Sequence, residues 1–216
     1  MPRAAVHTSR SPALNRRSAV RRRRSVPRIV IYGFGPYRQF RDNITARILR
    51  RLPSSRSIRK IVFPVRFDRK QFVAAVEAFK PDIVLGMGQC SRGRLLRIEA
   101  RAVNKRTNRK TDPGRPISLR GAGTLPVSLT LNLGGAAKRS TNAGDYVCNF
   151  SMYVILDFLK RRQPGTRFGF IHVPYTYDEN KAVRLLTRAI EKFSDYSRKG
   201  GKNDLTGGGE VALIRL

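Results

Sequence analysis

Ala143-Gly144-Asp145-Tyr146-Val147-Cys148-Asn149-Phe150-Ser151-Met152-Tyr153 opens on small and polar residues and then turns apolar. Val147, Phe150, Tyr153, Val154, Leu156, Phe158 and Leu159 recur at mixed spacings of three and four, the period of a buried amphipathic helix starting near Cys148. A cysteine in a first helical turn sits among unpaired N–H groups at the positive end of the dipole, which favours the thiolate. The thiolate is the form that attacks carbonyls. Most free cysteines are small buried hydrophobes, and by itself this stretch leaves that reading ahead.

A second stretch shifts the balance. Phe168-Gly169-Phe170-Ile171-His172-Val173-Pro174-Tyr175 reads as a buried strand closed by a proline. His172 falls at its C-terminal end, where catalytic residues of open α/β sheets collect. The chain has two histidines, and His7 lies in a charged tail. A lone strand histidine is more often structural. Paired with a helix-start cysteine, it completes the nucleophile and base of a cysteine hydrolase.

The rest of the chain supports an α/β frame. Arg28–Tyr32 is a short apolar strand running into Gly33-Phe34-Gly35-Pro36-Tyr37. Pro36 removes an N–H donor and no G-x-G-x-x-G or Walker pattern follows, so a nucleotide loop is discounted. A helix over 43–52, capped by Asn43 and ended by Pro53, precedes a strand over 58–65. Asp68 caps a helix to Phe79, and 83–87 is a third strand ending in Gly88-Gln89-Cys90. Alternation of strand and helix predicts crossover units on a mostly parallel sheet. Residues 95–103 alternate as one strand, with Leu96, Ile98, Ala100 and Ala102 on one face and Arg97, Glu99, Arg101 and Val103 on the other. Glu99 then projects between two arginines, where a surface ion pair would be worth at most about 1 kcal/mol. A polar loop over 104–123 follows. Residues 125–133 fit helix or strand, and Gly134-Gly135 end them. Glu179–Phe193 is the last clear helix, before a Gly/Lys/Asn linker over 197–209 and a final 210–216 that suits an edge strand or a loose end.

Composition bounds the rest. The 216 residues suit one domain with a real core, and no apolar run approaches the ~20 residues of a membrane span. Two cysteines without regular spacing exclude a disulfide framework and a cysteine-rich zinc site, consistent with a reducing compartment. The 45 Lys and Arg against 14 Asp and Glu give a net charge of +31. Nine of the arginines fall within residues 1–28, which hold no acid, and the remainder still carries an excess of 22. Such a surface implies non-specific polyanion binding. Residues 1–27 lack apolar periodicity and read as a disordered Arg-rich segment ahead of a single domain over 28–216. Their composition also suits a transit peptide, a nucleic-acid-binding arm or a start codon placed too early.

Four blocks resemble the pyroglutamyl peptidase type I family. They are Gly33-Phe34-Gly35-Pro36-Tyr37 with Asn43, Gly88-Gln89 with Glu99 and Asn104, Ala143 to Asn149 with Met152-Tyr153, and Gly169 to Tyr175. The resemblance spans roughly residues 28–193. It implies a cytosolic cysteine peptidase that removes N-terminal pyroglutamate from blocked peptides, on a three-layer α/β/α sandwich around a mixed, mostly parallel sheet. It makes Cys148 the nucleophile, His172 the base and Glu99 the orienting acid, with Arg109 near the oxyanion. Phe34 and Tyr37 would wall the pyroglutamyl ring, and Asn43, Gln89 and Tyr146 would share its pocket. No cofactor or metal enters this chemistry. Family members often form homo-oligomers, against which the charged surface counts, so the oligomeric state stays open.

Several residues depart from the family pattern. Cys90, Ser91 and Arg92 follow Gly-Gln where small residues are usual, Ala100 replaces an arginine and Ile44 a proline. Asp145 stands three residues before the nucleophile, where its charge opposes thiolate formation unless an arginine screens it. Residues 125–140 lack the long acidic helix usual before the nucleophile block. Two alternatives therefore stand beside the peptidase: a divergent or inactive hydrolase on the same scaffold, and a basic nucleic-acid-binding protein. The second would need aromatics among the arginines, and residues 1–27 contain none.

Overall fold

The computed structural model of the chain describes residues 26–37, 40–109, 111–198 and 213–214. The segment read as an Arg-rich tail therefore lies almost wholly outside the described residues, as does most of the 197–209 linker.

The chain enters at β1 (Ile29–Phe34), crosses through α1 (Ile44–Arg51) to β2 (Ile58–Phe63), and returns through α2 (Arg69–Phe79) to β3 (Ile83–Cys90). Asn43 and Asp68 cap the two helices, each accepting backbone N–H groups of the first turn. β4 (Leu96–Glu99), β5 (Arg101–Val103), β6 (Thr124–Pro126), β7 (Thr130–Leu131) and β8 (Ala137–Ser140) follow. Then come α3 (Val147–Arg162), β9 (Arg167–Pro174), α4 (Glu179–Arg198) and β10 (Leu213–Ile214). The main sheet has six strands in the order β2-β1-β3-β9-β4-β8. β2, β1, β3 and β9 run parallel, β4 is antiparallel to β9, and β8 is parallel to β4. The sheet is thus mixed and mostly parallel.

Period-two alternation sorts the two faces. Ile29, Ile31, Ile83, Leu85, Ile171 and Val173 pack with Ile44 and Ile48 of α1 and Leu186 and Ile190 of α4. Val30, Tyr32, Val84, Phe168 and Phe170 pack with Phe72 of α2 and Phe150 and Val154 of α3. Two helices on each face give the three-layer sandwich. The first crossover moves outward from β1 and the second moves back past it, so the chain changes direction between β1 and β3. The crevice at the carboxyl ends of strands flanking such a reversal is where open α/β sheets bind ligands.

Three readings of the sequence change. Residues 95–103 are not one strand. β4 belongs to the main sheet, while β5 pairs antiparallel with β6 in a separate ribbon. Leu96 and Ile98 accordingly pack on the α1/α4 face and Ala102 on the other. The break at Ala100 moves the chain between layers, which strict alternation cannot reveal. Glu99 is consequently no surface residue, since β4 is interior to the sheet and the carboxylate is fully buried. β8 was also not anticipated, because Ala-Lys-Arg-Ser has little apolar content. As an edge strand it needs only one hydrogen-bonded neighbour. The ambiguous 125–133 segment splits into β6 and β7, and β10 pairs parallel with β7. Among the described residues no helix is long and apolar enough to cross a membrane.

Candidate active site

Four elements bring their ends together at the reversal point. β1 ends in Phe34, β3 in Gly88-Gln89-Cys90, β9 carries His172 near its end, and α3 starts one residue before Cys148. On β9 the alternation that turns Phe168 and Phe170 toward α3 turns His172 the same way. β4 lies beside it, with Arg97 opposite His172 and Glu99 opposite Phe170. Arg97, Glu99 and His172 therefore share the face that α3 covers.

The His172 Nδ1 to Glu99 Oε1 distance is 2.7 Å, between side chains 4% and 0% exposed. With Nδ1 turned to the carboxylate, Nε2 is the nitrogen left to exchange a proton elsewhere. Gly88 places the thiol. A Cβ added there would lie 2.6 Å from Cys148 Sγ, 2.9 Å from Phe170 Cζ and 3.0 Å from His172 Cδ2. The thiol and the imidazole edge thus crowd the same bare backbone, and only glycine leaves them that space.

Charge states follow from burial. Burial pushes the Cys148 thiol up from 9.0 to about 12, the nearby Cys90 and Glu99 add to the rise, and Arg97 opposes it. The helix start favours the thiolate, and burial works against it. Asp145 is not what raises the thiol. Its carboxylate lies 3.9 Å from Lys105 Nζ, so a lysine rather than an arginine screens it. Burial also opposes ionisation of Glu99, yet bonds and charge from His172, the Ser140 hydroxyl and Arg97 hold its carboxyl below the usual range. Glu99 Oε2 has no hydrogen-bond partner among the described residues.

A cavity of about 390 Å³ opens over the thiol, lined among others by Phe34, Tyr37, Asn43, Gln89, Tyr146, Cys148 and His172. The Tyr37 and Tyr146 rings stand 5.2 Å apart, and Phe67 packs edge-on against Tyr146 at 5.1 Å. Gln89 Oε1 accepts the Ile44 N–H, which leaves its amide nitrogen as the donor. Asn43 is largely committed already. Its Nδ2 donates to Gly35 O, and its Oδ1 accepts from Thr45 N and Thr45 Oγ1. Asn43 therefore shapes the loop that carries Tyr37.

Of the residues given a catalytic or substrate role from the sequence, all reach this site except Arg109. It sits exposed in a turn with Asp112 and is not among the cavity-lining residues. Sequence reasoning missed Phe40, Val65 and Ser91 in the lining. It also missed Asn149 as a clamp: buried beside Cys148, its side chain bonds Val103 N, Val103 O and Lys105 O, tying the 103–105 segment to α3. A polar residue directly after a candidate nucleophile, inside an apolar helix, was the available signal. Both cysteines are free.

A thiol, an imidazole and a buried carboxylate converging at the switch point of an α/β/α sheet are the parts of a cysteine hydrolase. The chain belongs to the pyroglutamyl peptidase family, whose family model matches residues 27–184. A pyrrolidone-carboxylate peptidase of Streptococcus pneumoniae is 29% identical over 203 residues, covering 80% of this chain and 95% of that one. One from Clostridium botulinum is 30% identical over 167 residues, covering 68% and 78%. The crystal structure of Bacillus amyloliquefaciens pyroglutamyl peptidase I shares the fold, with a TM-score of 0.71 at 22% identity over 79% of this chain and 98% of that one. The pyrrolidone carboxyl peptidase of Thermococcus litoralis does likewise, with a TM-score of 0.70 at 23% identity over 80% and 96%.

Proposed function

We propose that the protein is a cysteine omega-peptidase that hydrolyses the amide bond after an N-terminal pyroglutamyl (5-oxoproline) residue. Cys148 acts as nucleophile, His172 as base and Glu99 as the carboxylate behind it. The observation carrying this reading is the buried 2.7 Å contact between His172 and Glu99, next to the Cys148 sulfur. Burial disfavours the free thiolate, so His172 Nε2 takes the thiol proton as sulfur attacks the carbonyl carbon. The helix α3 N-terminus carries no side-chain cap bond, so its N–H groups are available to the developing oxyanion. The imidazolium then returns the proton to the departing amine, and water hydrolyses the thioester with His172 again as base. The flat lactam ring suits the aromatic walls of Phe34, Tyr37 and Tyr146, and the Gln89 amide is placed to donate to its carbonyl.

The test is hydrolysis of pyroglutamyl-aminocoumarin by the purified protein, against prolyl and glutaminyl counterparts. Release from the pyroglutamyl substrate alone is expected. No release by folded protein, or equal release from all three, sinks the reading. Gly88→Ala is expected to lower kcat on the order of 10- to 100-fold through a displacement below about 1 Å, with the fold retained in thermal melts. Unchanged kcat would mean that thiol and imidazole need no such clearance.

We also infer that residues 28–216 form one domain and that the basic surface binds polyanions non-specifically. Pro27 is already buried and Arg28 is tied in through its N–H to Asp82 Oδ2 at 2.7 Å. Removing residues 1–25 should leave melting and turnover intact and weaken DNA binding with a shallower salt dependence. Loss of the folded core on truncation would place the boundary elsewhere.

A further inference from the structure

Arg97 has no place in the mechanism above, yet its position is specific. It stands opposite His172 in the β4–β9 register. Its Nε lies 3.7 Å from Glu99 Oε1, the oxygen that also meets His172. Two buried polar atoms here lack hydrogen-bond partners among the described residues: Arg97 Nε and Glu99 Oε2. An N–H donor and a carboxylate oxygen, each buried and unsatisfied, thus sit on neighbouring groups. A movement of roughly 1 Å would bring Arg97 Nε from 3.7 Å to ordinary N–H···O distance of Glu99 Oε1, the oxygen shared with His172.

The charge inventory gives this geometry a purpose. While Cys148 is a neutral thiol and His172 a neutral imidazole, the buried Glu99 carboxylate still needs a countercharge. The groups facing it are His172 of β9, Cys148 of α3, Cys90 of β3, Ser140 of β8 and Arg97 of β4 itself. Arg97 is the only permanent cation among them. Once the proton leaves Cys148, the imidazolium becomes the nearer cation, and the guanidinium, 31% exposed, can turn back to solvent.

We propose that Arg97 is a positioning residue that neutralises Glu99 while His172 is uncharged and yields the carboxylate to the imidazolium as the proton arrives. The proposal rests on the peptidase reading for its role in turnover, but its electrostatic content can be measured without turnover. Arg97 repels the imidazolium and competes for the carboxylate, and both effects disfavour protonated His172. Removing it must therefore raise the His172 pKa.

The experiment follows the His172 ring resonances of the full chain against pH, with His7 as a separate signal. Arg97→Gln and Arg97→Met are compared with Arg97→Lys. A nearby charge shifts a pKa by one to three units at most, so for this partly exposed cation a rise of about 0.5 to 1 unit is expected in both neutral variants, with lysine restoring most of the difference. The acid limb of kcat/KM should move to higher pH by the same amount, with KM little changed. A purely structural Arg97 would alter melting but leave the His172 titration in place. An unmoved titration in a folded neutral variant overturns the proposal even if the enzyme is active. A shifted titration supports it even if pyroglutamyl substrates are not cleaved, in which case the peptidase reading fails alone.

Discussion

Cys148→Ala is expected to abolish pyroglutamyl hydrolysis, a loss on the order of 10⁴ or more in kcat by comparison with removal of other hydrolase nucleophiles. The fold should survive, since a neutral thiol gives way to a smaller apolar group and single changes of this kind typically cost about 1 kcal/mol. Cys148→Ser makes the sharper test. Burial raises the thiol, so attack depends on His172 removing the proton. A hydroxyl depends on that base still more, so serine should retain only a trace of activity. Cys90 lines no part of the cavity, and burial raises its thiol as well. Cys90→Ala should therefore turn over normally. Substrate hydrolysis together with intact-mass detection of the acyl thioester checks both. Turnover retained in Cys148→Ala, or lost in Cys90→Ala, would move the nucleophile to Cys90.

Much of the frame was readable because local signals agreed with the tertiary fold. Asn43 and Asp68 cap the helices they were expected to cap. The two-residue period of β1, β3 and β9 turned directly into two packed faces. What escaped reading depended on long-range pairing. Ala137–Ser140 becomes a strand only because β4 offers it an open edge. Residues 95–103 look like one strand because alternation cannot register a change of sheet at Ala100. The site shows the same division. Cys148 and His172 could be found from helix start and strand end. Glu99 needed the resemblance, because in a continuous exposed strand it would be an ordinary ion pair. The raised thiol was not legible in the helix terminus, since it comes from burial in the assembled fold. Arg97 was named only as a neighbour of Glu99; its standing opposite His172 emerges from the antiparallel β4–β9 register alone.

Glu99→Gln is expected to cost on the order of 10² to 10⁴ in kcat, by analogy with the same change behind a catalytic histidine in serine proteases. The side chain is fully buried, so the alternative of a solvent-screened surface pair no longer competes. Glutamine fills the same volume but removes the charge that would stabilise imidazolium. It also allows the wrong bond. If its amide nitrogen faces Nδ1, the ring must accept there and carry its proton on Nε2, which disables the base. If its oxygen faces Nδ1, its NH₂ replaces Oε2, which has no hydrogen-bond partner among the described residues. Two measurements separate this role from a packing role. The His172 pKa should fall in Glu99→Gln, the reverse of the rise expected on removing Arg97, because one change takes away an anion and the other a cation. Stability should lose one pH dependence. A carboxyl held below its ordinary 4.5 contributes stability above that pH and forfeits it as the pH falls through its folded value. The difference in melting temperature between wild type and Glu99→Gln should therefore shift in favour of the variant in acid. Near-normal turnover with an unmoved His172 titration would remove Glu99 from the site and leave a cysteine–histidine dyad.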